Sequence, residues 1–144
     1  MKALIYTAPG VMEWTFRPTP QPGAGEVTVA VRAVGICGSD VHGFAGESGR
    51  RPPGISMGHE ATGEVAELGP ETPRALLGQQ VVIYPILSCD TTTEPCEECR
   101  AGHSNLCRRR RLLAGDLDGA MAEALIVPVA NLFPLPRPGD FIHG

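Results

Sequence analysis

Glycine and proline, 18 and 14 of them in 144 residues, break this chain so often that a long uninterrupted helix has almost nowhere to form. What lies between the breaks is short and favours β structure. Residues 1–6 carry strand-forming side chains, Ala8-Pro9-Gly10 signals a turn, and residues 12–16 can return as the hairpin partner. After a loop crowded with Pro18, Pro20, Pro22, Gly23 and Gly25, residues 26–34 alternate: Val27, Val29, Val31 and Ala33 on one side, Thr28, Ala30 and Arg32 on the other. Such alternation predicts a half-buried strand. Weaker alternation predicts a second over 59–68, and the apolar run 80–84, ended by Pro85, predicts a buried third. The last strand candidates are 120–127 and 132–135. The chain is long enough for one domain with its own core, and the expected class is mainly β.

The predicted strand 26–34 runs straight into Gly35-Ile36-Cys37-Gly38-Ser39-Asp40-Val41-His42, and a Gly/Pro-rich excursion ends at Gly58-His59-Glu60. Cys37, His59 and Glu60 offer a thiolate, an imidazole and a carboxylate. Zinc accepts all three donor types, and a catalytic zinc commonly uses three protein ligands and leaves a fourth position open. Taken singly, Cys37 also reads as a small buried residue, His59 as a core histidine and Ser39 as a turn or helix-cap hydroxyl. Their concentration in one stretch favours the metal. Residues 43–57, with four glycines, two prolines and Arg50-Arg51, are expected to form an exposed loop beside it.

A second cluster, Cys89, Cys96, Cys99 and Cys107, has the spacing C-x6-C-x2-C-x7-C. The C-x2-C pair lets two thiolates reach one ion from a tight knuckle, and two further cysteines close a tetrahedral site with no open position. This is the pattern of a structural zinc in a lobe over about 88–111, a segment with few core-forming residues.

Net charge is −4 and the pI is near 5.5, which argues against a surface made to neutralise phosphate or an anionic membrane. Apolar runs are broken by Pro85, Glu123 and Pro128 before any reaches spanning length, and the run 3–6 is too short for a signal-peptide core. The expectation is a cytoplasmic chain in a reducing compartment, where clustered thiols are metal ligands rather than disulfides.

Four stretches in order, Cys37-Gly38-Ser39-Asp40-Val41-His42, Gly58-His59-Glu60-Ala61-Thr62-Gly63-Glu64-Val65, the cysteine lobe ending Gly102-His103-Ser104-Asn105-Leu106-Cys107, and Asp118-Gly119-Ala120-Met121-Ala122-Glu123, resemble the zinc-dependent medium-chain alcohol dehydrogenases. The resemblance runs from Met1 to about Pro136 and concerns their N-terminal catalytic domain. It implies a GroES-like, partly open β-barrel with short helices and a zinc-binding cysteine lobe. It further implies Cys37 and His59 as catalytic zinc ligands, with Glu60 ligating or just behind, and Asp40 accepting the other ring N–H of His59. Ser39 would pass the alcohol proton onward and His42 would relay it to solvent. The implied chemistry is alcohol oxidation or carbonyl reduction, with up to two zincs, NAD or NADP, and a small alcohol or carbonyl substrate.

The sequence also departs from the family. Six residues, 90–95, separate Cys89 from Cys96 where the family has two, which makes Cys89 the weakest of the four ligand assignments. No G-x-G-x-x-G occurs in a strand-turn-helix setting. The nucleotide-binding domain is therefore expected to be absent, and the chain alone to be inactive. Two other classes compete: a non-catalytic GroES-like zinc module for structure or interaction, and a nucleic-acid zinc ribbon using Arg108-Arg109-Arg110-Arg111. Against the second stand the acidic total and the Cys37/His59 stretch; the arginine run is expected to be a solvated turn. Neither nucleic acid nor membrane is expected as a partner, while an oligomer is possible.

Overall fold

The computed structural model describes residues 1–89 and 94–143. Its strands are β1 (Lys2–Ala8), β2 (Val11–Phe16), β3 (Glu26–Gly35), β4 (Ile55–Ser56), β5 (Glu60–Leu68), β6 (Gln80–Ile83), β7 (Ile86–Leu87), β8 (Arg111–Leu112), β9 (Ala124–Pro128) and β10 (Leu132–Pro134). The only α-helices among the described residues are α1 (Gly38–Phe44) and the single turn α2 (Glu97–Arg100). The mainly β class follows from this inventory. The sheets are open: β10-β6-β5-β3-β9, β2-β1-β4 and the pair β7-β8, all antiparallel.

Strand β3 is buried where it is central. Flanked by β5 and β9, its first half hides Val27, Thr28 and Val29, so both faces are covered rather than the one that simple alternation predicts. These valines pack with Val65, Val81 and Val127 into the main core. Burying each such side chain contributes about 1.5–3 kcal/mol, which makes the five-stranded sheet the main support of the core. Gly63 sits where β5 crosses β3; a Cβ there would lie 2.4 Å from the carbonyl oxygen of Ala30.

Two expectations need correction. The segment 43–57 is not an exposed loop throughout: α1 takes its first residues, β4 pairs with β1, and Arg51, Ser56 and Met57 are buried. Polar anchors pull it inward, since Gly54 N–H donates to Tyr6 O at 2.7 Å and Ser56 N–H to Asp118 Oδ1 at 2.9 Å. The strand expected over 120–127 starts at Ala124; residues 119–121 instead form a strap along 56–58, with Gly119 N–H to Ser56 O, Ala120 N–H to Gly58 O and Met121 N–H to Met57 O at 2.8–2.9 Å. Leu4 N–H binds the other side of the strap through Met121 O at 2.8 Å. The short strands β4, β7 and β8 are too brief to show a period, and the sequence gives no sign of them.

Candidate metal centres

The ladder between β3 and β5 ends at the pair Gly35↔Glu60. Cys37 lies two residues past one strand end and His59 one residue before the other, so antiparallel pairing alone brings them together. Ligand atoms of Cys37, His59 and Glu60 all lie within 4.8 Å of one another. Two glycines permit this closeness. A Cβ on Gly35 would stand 2.6 Å from Glu60 Oε2, and Gly58 takes φ +82° in a spot where a Cβ would meet Val34 Cγ1 at 2.7 Å.

Beyond Gly35 the chain turns into α1, with Cys37 as its N-cap. The Asp40 carboxylate closes that first turn by accepting from Cys37 N–H at 3.1 Å. Its other oxygen lies 3.4 Å from His59 Nδ1, which leaves Nε2 as the ring nitrogen available to a metal. Asp40 is buried, whereas Ser39 and Glu60 are exposed and Cys37 and His59 half-buried. Accessible donors thus sit above a buried carboxylate. His42 lies at the exposed surface, its Nδ1 2.9 Å from Glu47 Oε2.

One residue of this cluster is absent from the sequence-based candidates. Arg51, expected on an exposed loop, is buried with its side chain only 4% exposed. A single guanidinium nitrogen, Nη2, lies 3.3 Å from Ser39 Oγ, 3.4 Å from Asp40 Oδ1 and 3.5 Å from His59 Nδ1. Nothing in Arg50-Arg51-Pro52-Pro53 distinguishes the buried arginine from its exposed neighbour.

None of the four lobe cysteines is in a disulfide, and they pack chiefly on one another. Sulfur–sulfur separations are 3.7 Å for Cys89–Cys99, 3.4 Å for Cys89–Cys107 and 3.9 Å for Cys96–Cys107. A tetrahedron with zinc–sulfur bonds of ~2.3 Å has edges of about 3.8 Å. The set therefore fits one zinc, Cys89 included; residues 90–93 themselves lie outside the described residues. The thiols are unequal. The Cys96 N–H, then Cys107 and Arg109, bring Cys89 down to about 6, whereas burial, reinforced by neighbouring sulfurs, pushes Cys99 up to about 12. A cation among these sulfurs would favour the thiolate form of each of them. The arginine run is tied largely to the lobe: Arg108 pairs with Glu98 and Glu97, Arg109 donates to Glu94 O and Arg110 to Cys107 O. No helix among the described residues is long and apolar enough to cross a membrane.

An open sheet presenting a Cys/His/Glu set, with a four-cysteine lobe beside it, defines the N-terminal domain of zinc-dependent medium-chain dehydrogenases. The family described as alcohol dehydrogenase GroES-like domain matches residues 23–137, and the chain belongs to it. L-Galactonate-5-dehydrogenase of Escherichia coli K12 is 34% identical over 134 residues, covering 93% of this chain and 38% of that protein. L-Threonine 3-dehydrogenase of Pyrococcus horikoshii is 35% identical over 142 residues, covering 95% and 39%. Among solved structures, an alcohol dehydrogenase of Escherichia coli CFT073 in complex with NADH superposes with a TM-score of 0.85 at 33% identity, covering 95% of this chain and 39% of that one. The chain thus spans well under half the length of these relatives.

Proposed function

We propose that residues 1–144 are the GroES-like catalytic domain of an NAD(P)-dependent alcohol or polyol dehydrogenase, with the zinc lobe at about 88–111. Cys37, His59 and Glu60 hold the catalytic zinc; Cys89, Cys96, Cys99 and Cys107 hold the structural one. The observation that carries this reading is the contrast in ligand sets: four converging sulfurs in the lobe, and three mixed donors beside an exposed hydroxyl at the strand ends. When bound in such an open set, zinc supplies Lewis-acid polarisation of the substrate oxygen. This chain's residues then have distinct tasks. Asp40 holds the His59 ring through Nδ1. Ser39 Oγ exchanges a proton with the substrate oxygen, and His42 passes that proton to solvent.

Hydride transfer needs a nicotinamide, and the chain's 144 residues contain no Gly-rich dinucleotide fingerprint in a strand-turn-helix setting. Turnover is therefore assigned to this domain together with nucleotide-binding residues it does not contain. The test is the zinc-to-protein ratio of the purified chain by elemental analysis, repeated on Cys37→Ser. Two zincs falling to one in the variant is the expected result. One zinc in both proteins would remove the catalytic assignment and leave a non-catalytic GroES-like zinc module.

A further inference from the structure

Arg51 is a charged side chain with no obvious reason to be inside. Its neighbour Arg50 is exposed, as most arginines are, yet Arg51 is threaded beneath α1 with 7% of its surface accessible. Two glycines make the path. A Cβ on Gly43 would lie 2.4 Å from Arg51 Cγ, and one on Gly115 would lie 3.3 Å from its Nη1. An alanine at either place would press on the arginine, hardest at Gly43.

At the end of that path Nη2 faces Ser39 Oγ, Asp40 Oδ1 and the His59 ring. Burying an ion pair is costly, and an arginine is retained inside only where its partners need its charge or its geometry. Both needs exist here. A zinc dication offset by the Cys37 thiolate and the Glu60 and Asp40 carboxylates leaves one negative charge, which the guanidinium cancels. The Asp40 carboxylate is also shared three ways, between Cys37 N–H, His59 Nδ1 and Arg51, so its orientation is fixed from three directions. Ser39 Oγ accepts from Arg51, which commits an acceptor position of the hydroxyl and leaves its own O–H free to donate elsewhere.

We propose that Arg51 is a positioning residue of the open metal site, its buried guanidinium locking Ser39, Asp40 and His59 into one arrangement before metal or substrate arrives. This rests on the metal-site reading of Cys37, His59 and Glu60. It differs from a general stabilising role in where the guanidinium hydrogen bonds go: to Ser39, Asp40 and His59, not to the cysteine lobe.

The experiment measures zinc stoichiometry by elemental analysis and zinc affinity by chelator competition on the whole chain, for wild type, Arg51→Met, Arg51→Lys and Gly43→Ala, with circular dichroism as the control for folding. Removing a residue that orients a metal ligand lowers affinity about 10- to 100-fold. Arg51→Met is expected to weaken the Cys37 site by that factor while the lobe zinc is retained. Arg51→Lys, with one charge but no fork, is expected to recover part of the loss, and Gly43→Ala to show a milder form of it. Wild-type affinity at the Cys37 site in a folded Arg51→Met would overturn the proposal. If Arg51→Met loses the β spectrum and both zincs, Arg51→Lys decides: unchanged affinity sinks the idea, selective weakening supports it. A wild-type chain with only one zinc would instead refute the metal-site reading, and the proposal with it.

Discussion

The lobe takes all its candidate metal ligands from positions 89 to 107, while the open cluster takes its own candidates from two strand ends that meet across a ladder. The lobe has almost no aliphatic interior; its cysteines pack on one another around one turn of helix. By contrast, the open cluster inherits its geometry from the valine core behind β3 and β5, from the glycine approaches at 35 and 58, and from the buried Asp40–Arg51 pair. Metal should therefore organise the first and be received by the second. The expectation is that the four-sulfur region needs its ion to fold and that the three-donor region needs its fold to bind.

The sharpest break in that contrast is metal removal. Zinc binding to small cysteine-rich units contributes roughly 10–16 kcal/mol, so stripping zinc, or Cys107→Ser, is expected to unfold the lobe outright. Limited proteolysis should then cut within 94–111 while the β circular dichroism of the sheets persists. Loss of the whole fold on chelation would erase the distinction between the regions.

A smaller effect runs the other way. In Gly119→Ala the new Cβ would sit 2.4 Å from the carbonyl oxygens of both Gly58 and Met57, next along the chain to His59. Overpacking of this kind costs about 1–3 kcal/mol, and because the obstacle is backbone the upper end is expected. Urea denaturation should report that loss, with the zinc at the Cys37 site weakened and the lobe zinc kept. Equal loss from both sites would mean that the lobe leans on the strap as well.

The smallest effect concerns acid. Glu98 sits below the usual carboxylate range, first through its own backbone N–H and then through Arg108. A carboxyl depressed in the folded state stabilises above its unfolded value, and that contribution fades as the pH falls through the depressed one. Thermal melts at low salt should therefore show an acid limb attributable to the lobe, and Arg108→Ala should flatten it slightly. Such a limb unchanged in the variant would remove Arg108 from the lobe's electrostatics.

How much of this was legible beforehand differs between the regions too. The cysteine spacing announces the lobe because its ligands are neighbours in sequence, and the longer strands declare themselves because alternation needs only a few residues to show. The helix α1 is too short for a 3.6-residue period to emerge between Gly38 and Gly43. Arg51 is harder still, since its burial is decided by the gap left at Gly43 and Gly115, residues separated from it along the chain and meaningful only once folded. Asp40 was reachable through its family resemblance, and its place beside His59 follows from the helix cap that the resemblance does not mention.

The strap at residues 119–121 also sets an order of events. Its hydrogen bonds to 56–58 close a loop of more than sixty positions, and contacts of such separation form late because the loop entropy must be met first. During synthesis, Cys37 and His59 emerge long before the segment that fixes the turn at Gly58. The lobe's sulfurs, by contrast, are complete as soon as Cys107 has appeared. If both clusters hold zinc, the expected order of filling reverses the order in which their first ligands are made: the later-encoded cluster is complete at Cys107, and the earlier-encoded one gains its strap only at residue 121.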